Sequence, residues 1–212
     1  MRIATILLPV LMLGAAVLPA NAEEVNSVAG HYQIRLRGLG VLPDPEGSKV
    51  FISGANIGGK TSLTDSGVPE IDATYFVSEH FAVEAIAATT KHSASHSVAG
   101  PLGSVWLLPP TVTVQYHLQP TDPLFRPYVG VGLNYTFFYN AKSPLPGISY
   151  DDNAGFALQA GADIPVGKDG YFLNVDVKKL FLGTTLHAAS GTVKGDVNID
   201  PWIVGAGVGI RF

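Results

Sequence analysis

The residues best equipped for chemistry are ionic and fall at matching positions within short apolar stretches: Arg35, Arg37, Asp72, Glu84, Asp163, Asp176, Lys178 and Arg211. Carboxylates and cations of this kind can move protons, yet no spacing among them marks a reaction. Mutual pairing inside the molecule is the favoured reading, because an unpaired buried charge is too costly and ion-pair networks perturb titration as active sites do. His92 and His96 stand four apart with His187 further on, a set that could ligate a metal, but neither an HExxH motif nor a cysteine accompanies them. They are expected to be solvated loop residues. Ser93 with His96 evokes a hydrolase pair without a GxSxG motif or a legible triad. Asn134-Tyr135-Thr136 fits a glycosylation pattern but falls within a predicted strand. No catalytic residue, metal or cofactor is therefore assigned.

Strands must position these groups, since the dominant signal is a period of two. From Trp202 the even positions Val204, Ala206, Val208, Ile210 and Phe212 are apolar, while Gly205, Gly207, Gly209 and Arg211 alternate with them. The same contrast opposes Val129, Val131, Leu133 and Tyr135 to Gly130, Gly132 and Asn134. It recurs for Phe156, Leu158 and Ala160 against Ala157, Gln159 and Gly161, and for Leu173, Val175 and Val177 against Asn174, Asp176 and Lys178. Upstream, Tyr32, Ile34 and Leu36 oppose Gln33, Arg35 and Arg37, followed by Ile71, Ala73 and Tyr75 against Asp72, Thr74 and Phe76. Phe81, Val83 and Ala85 then oppose Glu84 and Ile86, and Val112, Val114 and Tyr116 oppose Thr113, Gln115 and His117. Eight strands result.

Connections alternate in length. Short turns fall at 78–80, 119–124 and 167–170, and long segments span about Pro43 to Val68, Lys91 to Ser104, Asn140 to Asn153 and Leu182 to Asp200. Short turns at one end and long loops at the other, with an even strand number, describe an outer-membrane barrel. Tyr32, Tyr75, Tyr116, Tyr135, Phe137 and Trp202 lie toward strand ends on the apolar face, as aromatic girdles do. The expected fold is therefore all-β: an eight-stranded antiparallel transmembrane β-barrel in contact with outer-membrane lipid, its ionic residues turned inward.

Composition agrees. Charged residues make up 14%, hydrophobic residues 47%, and 24 glycines are present among 212 residues, which leaves too little charge for a surface facing water throughout. Net charge is −4 without a basic cluster, which argues against nucleic acid. The absence of cysteine removes disulfides and thiolate sites. Met1-Arg2, an apolar run from Ile3 to Val17 and Ala20-Asn21-Ala22 predict a cleaved signal peptide over 1–22 and a barrel over 23–212. The terminal Phe212 resembles the signal read by the barrel-assembly machinery, an expected partner.

Several blocks resemble the outer-membrane protein W (OmpW) family: Val83-Glu84 through Ala87-Ala88-Thr89 with His92, Leu108-Pro109-Pro110-Thr111 and Arg126-Pro127-Tyr128 through Thr136. Asn174-Val175-Asp176-Val177, Asp200-Pro201-Trp202 and Arg211-Phe212 complete the match. The sequence departs from that family near its sixth strand, where Asp152-Asn153-Ala154 replaces a frequent tryptophan. The resemblance implies a narrow, non-catalytic bacterial outer-membrane channel or binding barrel for small hydrophobic solutes. Phe51, Ile57, Trp106 and Leu107 are expected to form an apolar entrance. Two alternatives stand beside it: an interaction barrel whose extracellular loops bind partners, and a lipid-modifying enzyme using His92, His96 or Glu84.

Overall fold

The computed structural model describes residues 27–167 and 169–212; the expected signal peptide lies outside them. The strands are β1 (Tyr32–Leu42), β2 (Lys49–Ile52), β3 (Ala55–Asn56), β4 (Thr61–Leu63), β5 (Ser66–Phe76), β6 (Phe81–Ala88), β7 (Thr90–His96) and β8 (Gly100–Leu108). They continue as β9 (Thr111–His117), β10 (Arg126–Lys142), β11 (Ser149–Tyr150), β12 (Asn153–Pro165), β13 (Tyr171–Phe181), β14 (Gly183–Ala188), β15 (Val193–Asn198) and β16 (Trp202–Arg211).

Eight of these close an antiparallel wall in the order β1-β5-β6-β9-β10-β12-β13-β16, and β16 returns to β1. Closure leaves no free edge strand, so each strand of the wall pairs with a neighbour on both sides without water. At the seam Tyr32 and Phe212 exchange backbone hydrogen bonds and their rings stack at 6.2 Å. The glycines of β16 allow tight contact there: a Cβ on Gly207 would overlap the carbonyl oxygen of Leu36, and one on Gly209 the ring of Phe172.

The side-chain pattern is inverted relative to a protein in water. Leu36, Val131, Leu133 and Phe156 are 58–67% exposed on the outside, whereas Arg35 and Glu84 are fully buried within. Such a wall is stable only in hydrocarbon.

Two of the four long connections expected as loops are largely strand, and the first is so in part. β7 and β8 extend β6 and β9 into a hairpin, β14 and β15 do the same above β13 and β16, and β2, β3 and β4 occupy the first connection. Polar and glycine-rich composition hid them, because beyond the membrane the outward face meets water and carries Lys91, Ser93 and Ser95. The opposite parity of β7 turns inward, so His92 and His96, expected in solvent, are buried. Prolines punctuate the change of environment: Pro109-Pro110 separates β8 from β9, and Pro201 precedes β16.

Candidate functional site

The inner positions of β1, β5, β6, β12 and β13 meet at mid-barrel. Arg35 contacts Asp72 at 3.0 Å, Glu84 at 3.1 Å and Asp163 at 3.3 Å. Two residues further along β1, Arg37 contacts Glu70 at 2.5 Å, Asp72 at 2.8 Å, Glu84 at 3.2 Å and Asp176 at 3.5 Å. Lys178 sits 2.8 Å from Asp176 and 3.7 Å from Glu70. Amides and hydroxyls fill the remaining valences: Gln159 donates to Glu84 and Asp176, Tyr128 to Asp176 at 2.7 Å, and Asn174 to Asp163 at 2.8 Å. The interior of an eight-stranded barrel is only wide enough for side chains, and these fill it.

Seven of the eight ionic residues singled out in the sequence thus join one network. Arg211 does not; it lies nearer the periplasmic mouth, over the ring of Phe76 at 4.8 Å, and donates to the Pro120 carbonyl at 2.7 Å. Besides the amides of Gln159 and Asn174, three residues join it that were not singled out. Glu70 lies one inward step before Asp72, between the expected loop ending at Val68 and the strand read from Ile71, and the observed β5 begins earlier, at Ser66. Tyr128 and Phe172 also turn inward, their aromatic character masking their parity; Tyr128 and Phe172 sit 5.2 Å and 5.7 Å from the Arg35 guanidinium carbon.

Above the network the inner face turns apolar. Leu39, Val41, Ile86, Leu180, Leu182 and Ile203 surround a chamber whose floor is Glu70 and Lys178. Its free space, about 40 Å³, admits a few waters but no hydrocarbon ligand without expansion. A second apolar gap, bounded by Val105, Phe138, Tyr150 and Val197, adjoins it through His92, Leu107 and Ile199. Burial pushes the Tyr150 phenol up to about 12, and its hydroxyl has no hydrogen-bond partner among the described residues. Val50, Leu102, Leu186 and Val193 pack over the top.

The four residues expected at an apolar entrance do not form one group. Leu107 lines the chamber, and Ile57 packs beneath the cap. Trp106 lies instead on the outer surface, its ring 6.3 Å from Tyr139 and 5.9 Å from the Lys91 ammonium, and Phe51 lines a shallow groove among β2 and β15 residues. The inward parity of β8 belongs to Val105 and Leu107, which puts Trp106 outside.

The wall beside the chamber has an incomplete ladder. Ile86 pairs with Thr111 and Thr90 with Leu107, but between them Ala87–Thr89 and Leu108–Pro110 do not pair with each other; Ala87 and Ala88 pair with Ile71 and Glu70 on β5 instead, and Leu108 with Phe137 on β10. Pro109 and Pro110 have no N–H to give, and Ala88 and Pro109 face the chamber.

A family model described as the OmpW family matches residues 28–212. An uncharacterized outer-membrane protein, y4mB of Sinorhizobium fredii, is 42% identical over 203 residues, covering 92% of this chain and 86% of the relative. The dibenzothiophene metabolism operon protein PahQ of Pseudomonas aeruginosa is 30% identical, covering 78% and 81%. Among solved structures the outer membrane protein OprG of Pseudomonas aeruginosa superposes with a TM-score of 0.81 at 26% identity, covering 87% of this chain and 96% of that one.

Proposed function

The chain belongs to the OmpW family of outer-membrane β-barrels, and from that premise we propose that it admits small hydrophobic molecules from outside and hands them on without transforming them. The observation that carries this reading is the apolar chamber seated on an ionic plug. An apolar solute gains about 25 cal/mol for each Å² of apolar surface removed from water, and the chamber lining offers that burial. Continuing straight down would require separating charges that hold each other in a dry lumen, at several kcal/mol per ion. The wall between Ala87–Thr89 and Leu108–Pro110, two segments that do not pair with each other, costs less to part and opens at the outer edge of the hydrocarbon. The path is thus into the chamber and sideways into the bilayer. The name of PahQ, which cites dibenzothiophene metabolism, accords with an apolar aromatic cargo.

No step of this reading makes or breaks a covalent bond; the carboxylates are committed to arginine and lysine. The C-terminal strand, ending in an exposed Phe212, serves as the contact for the barrel-assembly machinery.

Uptake of radiolabelled naphthalene by cells that lack other family members tests the reading. Expression of the chain should raise the initial rate several-fold, and Leu180→Glu, which puts a charge into the chamber, should return it to background. A rate equal to that of cells with an empty vector would overturn the proposal.

A further inference from the structure

The chamber is apolar on its walls but not at its base. Lys178 and Glu70 both line it and both carry unused hydrogen-bonding capacity. The Lys178 ammonium has three protons; one meets Asp176 at 2.8 Å, and the next acceptor, Glu70 Oε2, stands 3.7 Å away, too far for a hydrogen bond. Glu70 spends its other oxygen on Arg37 at 2.5 Å. A donor and an acceptor therefore stand side by side beneath Leu39 and Leu180, each within reach of a single atom resting between them.

We infer that this floor selects apolar molecules ending in a neutral hydroxyl group, alcohols and phenols, over both plain hydrocarbons and ionised amphiphiles. The inference rests on the proposed binding of apolar solutes in the chamber and names the class within it. A hydroxyl oxygen accepts from Lys178 while its proton goes to Glu70, so both spare valences are used at once. A hydrocarbon leaves both unused.

Charge argues against the ionised alternatives. Three cations, Arg35, Arg37 and Lys178, face five carboxylates, Glu70, Asp72, Glu84, Asp163 and Asp176. A carboxylate head would add to the excess of negative charge. An ammonium head would meet Lys178, and either ion must shed its water to pass Leu182 and Ile203, a desolvation that those apolar walls do not offset. A neutral hydroxyl loses far less on desolvation than an ion and recovers it at the floor.

The test titrates the barrel in nanodiscs with 1-octanol, octane, octanoate and octylamine, following the methyl resonances of Leu39 and Leu180 and correcting each affinity for partition into protein-free nanodiscs. The expected result is 1-octanol binding about tenfold more tightly than octane, the worth of one to two net hydrogen bonds, with both ions weaker than 1-octanol. In Glu70→Gln/Lys178→Met, which removes one charge of each sign and keeps the balance of the network, the preference should fall to about onefold. Glu70→Gln alone, a near-isosteric change, should lower it part-way and guards against loss of folding in the double variant. Equal affinity for octane and 1-octanol, or tightest binding by octanoate or octylamine, overturns the inference and leaves the apolar chamber standing. Binding of none of the four removes the proposed function itself.

Discussion

Replacing Arg37 by methionine separates a dry ionic plug from a hydrated one. Methionine keeps most of the side-chain length and apolar bulk, so no large cavity opens and the loss is electrostatic. The guanidinium reaches four carboxylates between 2.5 and 3.5 Å, and without it Arg35 and Lys178 face all five. Removing one partner from a buried pair costs about 3–5 kcal/mol, because the remaining charge stays buried without compensation. That is a rise in the unfolding constant of about 10²–10⁴. Reversible urea unfolding in detergent micelles, followed by the fluorescence of Trp106 and Trp202, measures it. Adding Glu70→Gln should recover part of the loss, since the two residues touch and their effects are not additive. A loss below about 1 kcal/mol, the size found for ion pairs in water, would refute the picture of a sealed plug.

Val131, 60% exposed at the middle of β10, faces acyl chains; Val131→Arg should cost about 2–4 kcal/mol in lipid, and an unchanged unfolding midpoint would move that face out of the bilayer. Gly207→Val drives a branched side chain against the Leu36 carbonyl and should prevent closure of β16 on β1, seen as loss of the compact, heat-modifiable band on gels. His92 lies outside the membrane, buried, with Nδ1 at 2.6 Å from the Thr64 carbonyl, and burial holds its imidazole below the ordinary 6.5. The locally unfolded state therefore takes up the proton first: the cap keeps its stability above about 6.5 and loses it as pH falls from there toward the depressed folded value. Amide exchange in β4 and β7 should accelerate on going from about pH 7 to about pH 5, and His92→Gln should flatten that dependence.

The wall was readable because lipid on one side and a packed lumen on the other force strict alternation. Arg35, Arg37, Asp176 and Lys178 announce their side by parity alone, and the same alternation marks the eight strands of the wall. Parity fails where both sides become polar or both become apolar. Above the membrane, Lys91, Ser93 and Ser95 face water while His92 and His96 face the interior, and the contrast that marks a strand disappears although the backbone pairing continues. Trp106 was misplaced for the same reason: between the expected loop ending at Ser104 and the strand read from Val112, its parity had no frame of reference.

One signal for the chamber does lie in the sequence. In β1 the inward positions run Arg35, Arg37, then Leu39 and Val41; in β13 and just beyond it they run Asp176, Lys178, then Leu180 and Leu182; in β6 Glu84 is followed by Ile86 and Ala88. Three strands change from ionic to apolar at the same height and in the same direction, toward the long loops. A side chain facing a lumen without a ligand has no need to be apolar, because water or a further ion pair would satisfy it. A concerted change therefore requires something apolar in that space, either the packed side chains themselves or a solute that displaces them. The small free volume above a polar floor favours the second: side chains meant only to seal would not leave the Lys178 ammonium with a single close contact, to Asp176 at 2.8 Å, and a Glu70 oxygen 3.7 Å away without a hydrogen-bond partner at the base of an apolar cup.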